Sequence, residues 1–410
     1  MRILFLCPIF LLPVNNGMRI RLYNLMKILR EQGHELGLIS AIYDDELELV
    51  KELPPWFKDT AFAAIRRPNA PASPGNWLNL KRFFRVAAML LTGAPRHYAL
   101  AYKPELAEAL DKLIDSYDIV CVELYSMAAN ISKETFHRHR HKLILVEHDI
   151  TYIPRERAYK LASGFKRFRL WLTYTRVRRM EILLLKRFAH VVAMSEPDRD
   201  IIEGFRPGRP AYVVPNGVDT EQVVFQERQK PNGPPRLLFV GGFDHAPNLD
   251  AVTVFIKEYM PLLRQRFPGI TFDIAGKCDS YDLEPLKAPD VHFLGFVEDL
   301  APLYQQATAA VAILRFGGGT KLKVLQAMAV GTPIIASNVG VEGIALTPGL
   351  NYLTAHTPEE TAVAVDLLHH NFDKASDIAR QARKLCLERY DWRSIGLHFG
   401  GILQQISAGA

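Results

Sequence analysis

Cysteine is scarce in this chain of 410 residues: Cys7, Cys121, Cys278 and Cys386 are widely spaced and form no C-x-x-C pair. That excludes a disulfide-built scaffold and a thiol-rich zinc module, and reads as buried thiols in a reducing compartment. Long apolar runs are lacking too. None is longer than 86–91, far short of the roughly 20 residues needed to span a bilayer as a helix. The opening residues, Arg2-Ile-Leu-Phe-Leu-Cys7, have no cationic leader before them and no small-residue cleavage site behind, so a cytoplasmic start is expected. The pattern G-x-x-x-x-G-K-[ST] does not occur, and Cys7-Pro8 stands where a dinucleotide G-x-G-x-x-G would follow the first strand. A P-loop nucleotidase and a nicotinamide dehydrogenase are therefore disfavoured.

What is present is a globular composition, 49% hydrophobic and 23% charged, with a net charge of +6. At this length two domains are expected. Strand-like runs at 3–6, 35–40, 119–122, 143–146 and 191–193 alternate with helical patterns. A loop with Pro8, Pro13 and Asn15-Asn16-Gly17 follows the first run. Leu22, Leu25, Met26 and Leu29 then fall at i, i+3, i+4 and i+7 of a helix that Gly33 closes. The polar, turn-rich stretch 226–235 reads as a linker or surface loop. Alternation resumes with strands at 236–240, 271–274, 291–294, 309–313 and 334–336, and a helix from about Thr320. Strands alternating with helices imply parallel, doubly wound sheets. The fold class is thus α/β, with two Rossmann-like domains facing a central cleft, where such sheets hold ligands at strand C-termini. The N-terminal domain is expected over 1–215, completed by a C-terminal helix at about 393–410, and the second over 216–392.

The most informative segment is Phe316-Gly-Gly-Gly-Thr-Lys-Leu-Lys-Val-Leu-Gln-Ala-Met-Ala-Val-Gly331. A strand ends near Arg315, and three glycines let the backbone approach a ligand closely. A helix then begins, with Leu322, Leu325 and Ala329 facing inward and Gly331 as its cap. Unsatisfied N–H groups and the helix dipole make such an entrance an anion site. Lys321 and Lys323 in the first turn oppose the dipole by about 0.3–1 kcal/mol each; a bound diphosphate would reverse that sign. A plain glycine turn with solvated lysines is the ordinary alternative.

With further marks, this segment makes the chain resemble the large retaining glycosyltransferase family 4, of the two-Rossmann "B" fold, in a variant subgroup with a Gly-Gly-Gly-Thr-basic-Leu-Lys core. The marks are the Pro13/Gly17 loop before a helix, Glu147-His148-Asp149 after an apolar strand, and Val213-Val-Pro-Asn-Gly-Val-Asp219. Phe239-Val-Gly-Gly242 and Tyr390-Asp-Trp392 complete them. The resemblance covers essentially the whole chain. It implies a nucleotide-diphosphate sugar donor in the C-terminal domain, a glycan or lipid-linked acceptor in the N-terminal domain, and transfer with retention. Cell-surface polysaccharide or a related glycan is the implied product. No cofactor and no metal are implied: the departing diphosphate helps deprotonate the acceptor hydroxyl, while the protein positions the reactants and stabilises phosphate charge. By position, the resemblance makes His148 and Lys321 catalytic. It makes Gly17, Gly241, Gly242, Gly318, Gly319, Thr320, Lys321, Leu322, Gln326 and Glu342 donor-binding.

The chain also departs from that family. Two glutamates separated by seven residues are common there, and Gly318 and Gln326 occupy their places. Gln326 keeps a carbonyl acceptor for ribose hydroxyls but loses the charge. An Arg and a Lys expected after the first strand of the second domain read Gly242 and Pro247. Lys321 or Lys323 would then supply the phosphate charge, with His245 and Asn248 as further candidates. These gaps leave open a non-catalytic protein that binds sugar nucleotides or glycans. Ordinary alternatives stand beside several residues: a core histidine for His148, a turn glycine for Gly17, a helix cap for Ser195, and a hinge for Asn216 and Gly217.

From Arg155 to Arg187 the chain holds eleven Lys or Arg against Glu156 and Glu181, interleaved with Leu161, Phe165, Phe168, Trp171 and Leu172. The stretch 78–97, from Leu78 onward, mixes Lys81, Arg82 and Arg85 with Phe83, Phe84, Leu90 and Leu91. A cationic surface edged with aromatics fits an anionic membrane leaflet, and a location at the inner face of the membrane is the corresponding expectation. The ordinary reading is a solvated helix whose apolar side packs on the core. No nucleic-acid module occurs, so nucleic acid is not an expected partner. His137, His139 and His141 alternate with Arg138 and Arg140, which matches no metal-ligand spacing and reads as a solvated run.

Overall fold

The computed structural model describes residues 1–67, 80–223, 225–230, 232–278 and 281–409, so Leu78 of the first basic stretch and Pro231 of the 226–235 segment lie outside the described residues. The chain divides into two compact units, Met1–Pro215 with Arg393–Ala410, and Asn216–Trp392.

In the first unit, short runs that are apolar at every position dictate the layering. Ile3, Leu4, Phe5 and Leu6 are all buried, as are Ile119–Val122 and Leu143–Val146. A strand covered on both faces needs parallel neighbours and helices on either side. Seven strands satisfy this: β1 (Arg2–Cys7), β2 (Glu35–Tyr43), β3 (Phe57–Ile65), β4 (Ile119–Glu123), β5 (Leu143–Val146), β6 (His190–Ala193) and β7 (Tyr212–Val213). They pair in parallel in the order β3-β2-β1-β4-β5-β6-β7, with Ile3 opposite both Leu36 and Ile119. The sequence pattern missed β3. Its residues 57–65 are mostly half-buried at the sheet edge, so no continuous apolar run marks them.

The Gly17–Glu31 helix buries Leu22, Leu25, Met26 and Leu29, the face its spacing implied. It ends where Gly33 turns left-handed at φ +83°. There Gly33 N–H donates to Arg30 O and His34 N–H to Leu29 O, a glycine-specific stop that satisfies two end carbonyls. The Trp392–Ala408 helix packs against it through Gly396 and Gly400. A Cβ at 396 would come within 2.6 Å of Ile28, and one at 400 within 2.1 Å of Gln32. The glycines are what allow the two helices to approach this closely.

The second unit repeats the plan. Its strands are β8 (Arg236–Val240), β9 (Thr271–Ala275), β10 (Val291–Gly295), β11 (Ala309–Ala312), β12 (Ile334–Ala336) and β13 (Leu353–Thr354). They pair in parallel in the order β10-β9-β8-β11-β12-β13. In both sheets the order reverses beside the unit's first strand, between β1 and β4 and between β8 and β11. Ligands of doubly wound sheets sit at such switch points. The 226–235 segment does not join the units. Its described residues are largely exposed, irregular chain of the second one, while the division falls at Pro215 and Asn216.

The four cysteines are buried, and none forms a disulfide. Among the described residues no helix is long and apolar enough to cross a membrane. The histidine run is not uniformly solvated: His139 is buried, 3.5 Å from Asp115, because it closes the inner face of the Lys133–His139 helix.

Candidate functional site

In the second unit, the chain leaving β11 is anchored before it reaches the glycines. Leu314 N–H donates to Ser337 Oγ at 3.0 Å, and that hydroxyl donates back to Leu314 O at 2.7 Å. Gly317 and Gly319 then adopt positive φ, +135° and +65°. The helix proper is Leu322–Val330, with Lys321 in the cap position and left-handed Gly331 (φ +92°) closing it. It therefore starts two residues later than the expected Thr320, because the glycine turn continues through Lys321. The helix is also buried on more than one face: Val324, Ala327 and Met328 are buried alongside Leu325 and Ala329, whereas Leu322 is only half-buried.

The two lysines are placed differently. Lys321 Nζ donates to Gly319 O at 2.7 Å and lies 4.0 Å from Glu342 Oε2, which ties the glycine turn to the loop after β12. Lys323 Nζ donates to Asn248 Oδ1 at 2.8 Å and sits 3.7 Å from the centre of the Phe239 ring. Asn248 Nδ2 in turn donates to Gly242 O at 2.9 Å. Gly241 is extended with φ +155°, and a Cβ there would fall 2.9 Å from Lys323 Nζ and 2.7 Å from Asn248 Nδ2. So the ends of β8 and β11, on either side of the switch point, meet through a lysine. Burial lowers the Lys323 ammonium from 10.5 to about 7, with the Lys321 charge adding to the effect. Thr320 Oγ1 is buried without a hydrogen-bond partner among the described residues. Such an orphan costs about 1–3 kcal/mol unless something occupies it. Gln326 Oε1 lies 3.4 Å from Tyr304 OH, whose better-placed acceptor is Lys323 O at 2.9 Å.

In the first unit, His148 follows β5 by two residues and Glu123 ends the adjacent β4. Their Nε2 and Oε2 atoms are 2.6 Å apart. A carboxylate only accepts, so His148 Nε2 carries the proton and the ring orientation is fixed by Glu123. Glu147 is buried, accepts from Tyr125 N–H at 3.4 Å through Oε2, and leaves Oε1 without a partner among the described residues. Glu181 accepts from Thr151 and Tyr152 N–H at 2.7 and 3.0 Å, capping the Tyr152–Leu161 helix from the Gly164–Arg187 helix. Burial first, then neighbouring carboxylates, push the Glu147 and Glu181 carboxyls well above their usual range.

Gly17 is the exposed first residue of its helix, which Asn16 caps by accepting from Arg19 N–H at 3.1 Å. Arg21 is buried and donates to Val214 O and Pro215 O. Ser195 caps the Glu196–Gly204 helix by accepting from Asp198 N–H, the ordinary reading of that serine. Sequence reasoning missed Glu123 and Ser337. An acid ending a buried apolar strand was the available signal for the first; the second sits in an unremarkable loop. Among the described residues no group of three His, Cys, Asp or Glu could hold a metal.

Two family patterns match this geometry's host. The one described as Glycosyltransferase Family 4 covers residues 15–222, and the one described as Glycosyl transferases group 1 covers 234–371. The chain belongs to glycosyltransferase family 4. Its curated relatives include glycogen synthase of Mycobacterium tuberculosis, 29% identical over 221 residues, which is 50% of this chain and 51% of the relative. The chain thus matches about half the length of that relative. Among solved structures, sucrose-phosphate synthase from Thermosynechococcus elongatus superposes with a TM-score of 0.71 at 17% identity, covering 100% of both chains. Anabaena HepE in complex with UDP-glucose superposes at 0.67 and 15% identity, covering 99% of this chain and 100% of that one. At these identities the likeness concerns the fold, the two parallel Rossmann-like sheets of the family 4 architecture.

Proposed function

We propose that this family 4 protein is a retaining, metal-independent glycosyltransferase. In this reading it acts in the cytoplasm and moves a sugar from a nucleotide-diphosphate sugar to a glycan or lipid-linked acceptor. The second unit is the donor unit and the first the acceptor unit. The observation that carries the reading is the helix entrance at residues 317–323. There a half-buried lysine with a neutral amide partner and a buried hydroxyl with none among the described residues stand at a glycine turn beside a sheet switch point. A diphosphate would suit the lysine, the hydroxyl and the N–H groups of the turn together. The complex of HepE with UDP-glucose makes UDP-sugars the first donors to try.

The chemistry needs no enzyme nucleophile. The acceptor oxygen bonds to the anomeric carbon on the face from which the diphosphate departs. The anomeric C–O bond breaks with its electron pair going to the phosphate, and a phosphate oxygen takes the acceptor's proton. Lys323 and Lys321 stabilise the charge that develops on the leaving group, together with the N–H groups of the turn. Glu123 orients His148 for contact with the sugar or the acceptor.

A thermal-shift screen across UDP, GDP, ADP, CDP and their sugars tests the donor reading, since a ligand of the native state raises the melting temperature by mass action. If none raises it, the reading fails. For the reaction itself, His148→Ala is expected to lower kcat at least about tenfold while donor affinity stays within about twofold. Equal loss in both, or in neither, would take His148 out of the reaction. Gln326, in place of a charged ribose ligand, favours one second reading, a sugar-nucleotide binder without activity. Affinity for a donor with neither hydrolysis nor transfer across acceptors would establish it.

A further inference from the structure

The Tyr152–Leu161 and Gly164–Arg187 helices form a hairpin in the first unit, and the longer helix changes character along its length. Its second half packs on the core through Val177, Leu184 and Leu185, all buried. Its first half continues in apolar residues, several of which stay exposed among the described residues. Phe165 is 75% exposed, Phe168 55% and Trp171 44%, and Leu161 and Leu172 are exposed beside them. The rings form a continuous strip, Phe165 to Phe168 at 6.5 Å and Phe168 to Trp171 at 5.9 Å between centroids. The ordinary reading of this segment, an apolar side turned onto the core, therefore holds only for the second half.

The charge around the strip is of one sign. Lys166, Arg167, Arg169, Arg176 and Arg179 are exposed. Of the two acids in the hairpin from residue 155 onward, Glu181 is buried and Glu156 is ion-paired with Lys160 at 2.9 Å. An exposed strip of large aromatics costs solubility and marks a contact surface. A second copy of this chain would bring like charges together, and a nucleic acid gives phenylalanine and leucine tips no apolar phase to enter. An anionic lipid leaflet satisfies both halves of the surface, taking the rings at the acyl boundary and the cations at the headgroups.

We propose that residues 161–179 of this hairpin dock the protein on an anionic membrane surface. The inference goes beyond the transferase reading and does not depend on it. The test uses the full chain in sedimentation with vesicles of phosphatidylcholine alone and of phosphatidylcholine with phosphatidylglycerol at about 2:1. Binding is expected on the anionic vesicles only, and weakening with salt. The triple variant Phe165→Ser, Phe168→Ser, Trp171→Ser should lose at least about tenfold in binding. A second variant, Lys166→Gln, Arg167→Gln, Arg169→Gln, should bind more weakly and with less salt dependence. All six side chains are exposed, so both variants should keep the wild-type melting temperature and nucleotide response, which separates this test from that of the donor site. Absent binding, equal binding to both vesicle types, or unchanged binding in both variants would overturn the proposal. So would a wild-type dimer that the serine variant dissolves without any vesicle binding, which would make the strip a self-interface.

Discussion

Two helices of this chain begin close to the switch points of their sheets, and their first turns are stabilised in opposite ways. At the Gly17–Glu31 helix the protein supplies a side-chain cap and partners for both first-turn guanidinium groups, although the Nε atoms of Arg19 and Arg21 have none among the described residues. Asn16 accepts from a first-turn N–H, Arg19 pairs with buried Glu46 at 2.5 Å, and Arg21 is held by two backbone carbonyls. At the Leu322–Val330 helix no side chain among the described residues caps the first turn, and Lys321 and Lys323 stand there. Lys323 has a neutral partner in Asn248, Thr320 Oγ1 has none among the described residues, and the turn before them is glycine. The first entrance is capped by a side chain and its Arg19 is ion-paired in the free protein. The second carries positive charge at the positive end of a dipole, an unfavourable arrangement that an anion would relieve.

Replacing Lys323 should break this contrast most severely. Lys323→Met fills similar volume without charge. A charge-assisted hydrogen bond is worth about 1.5–3 kcal/mol, so UDP-sugar affinity measured by calorimetry should fall roughly 10- to 150-fold. Unchanged affinity would show that the diphosphate lies elsewhere. The next largest effect is on pH dependence. Lys323 is lowered from 10.5 to about 7 by burial, so above that pH the empty site holds a neutral amine and an anion must bring a proton with it. Affinity for a UDP-sugar should fall by up to about tenfold per pH unit above 7, and this slope should vanish in Lys323→Met. The stability of the ligand-free protein carries the opposite sign. Between about 7 and 10.5 the unfolded chain binds the extra proton, so this group makes the fold more stable as pH rises. A donor affinity flat across that range in the wild type would mean that Lys323 does not meet the anion.

Much of this arrangement was legible beforehand, for identifiable reasons. Central parallel strands are buried on both faces, so β1, β4, β5 and β11 read directly as apolar runs. Edge strands are not: β3 and the two-residue β13 offer no such run. Gly33 and Gly331 were readable as helix stops because only glycine takes the left-handed position cheaply. Lys321 and Lys323 were visible as first-turn cations, but not their division of labour. That depends on Asn248, 75 residues away, and on the space left by Gly241, neither of which local pattern reports. The Glu123–His148 pair is hidden for the same reason: it joins two residues 25 positions apart, at the ends of neighbouring strands. Conversely, the exposed aromatic strip is a place where composition alone leaves two readings open, and only the exposure of Phe165 and Phe168 separates them.

The smallest expected effects sharpen the contrast best, because they move stability and binding in different directions at the two entrances. Thr320→Val removes a hydroxyl that the free protein does not satisfy. Its stability should be unchanged or higher by about 1 kcal/mol, while donor affinity drops by about 0.5–1.5 kcal/mol, roughly 2- to 12-fold. Asn16→Ala removes a cap that the free protein does use. It should lower stability in chemical denaturation by about 0.5–2 kcal/mol and leave donor affinity where it was. If Asn16→Ala weakens the nucleotide sugar as Thr320→Val does, then both helix entrances meet the ligand and the contrast is one of degree. If Thr320→Val instead destabilises the free protein, its hydroxyl is already satisfied in solution, and the second entrance is as self-sufficient as the first.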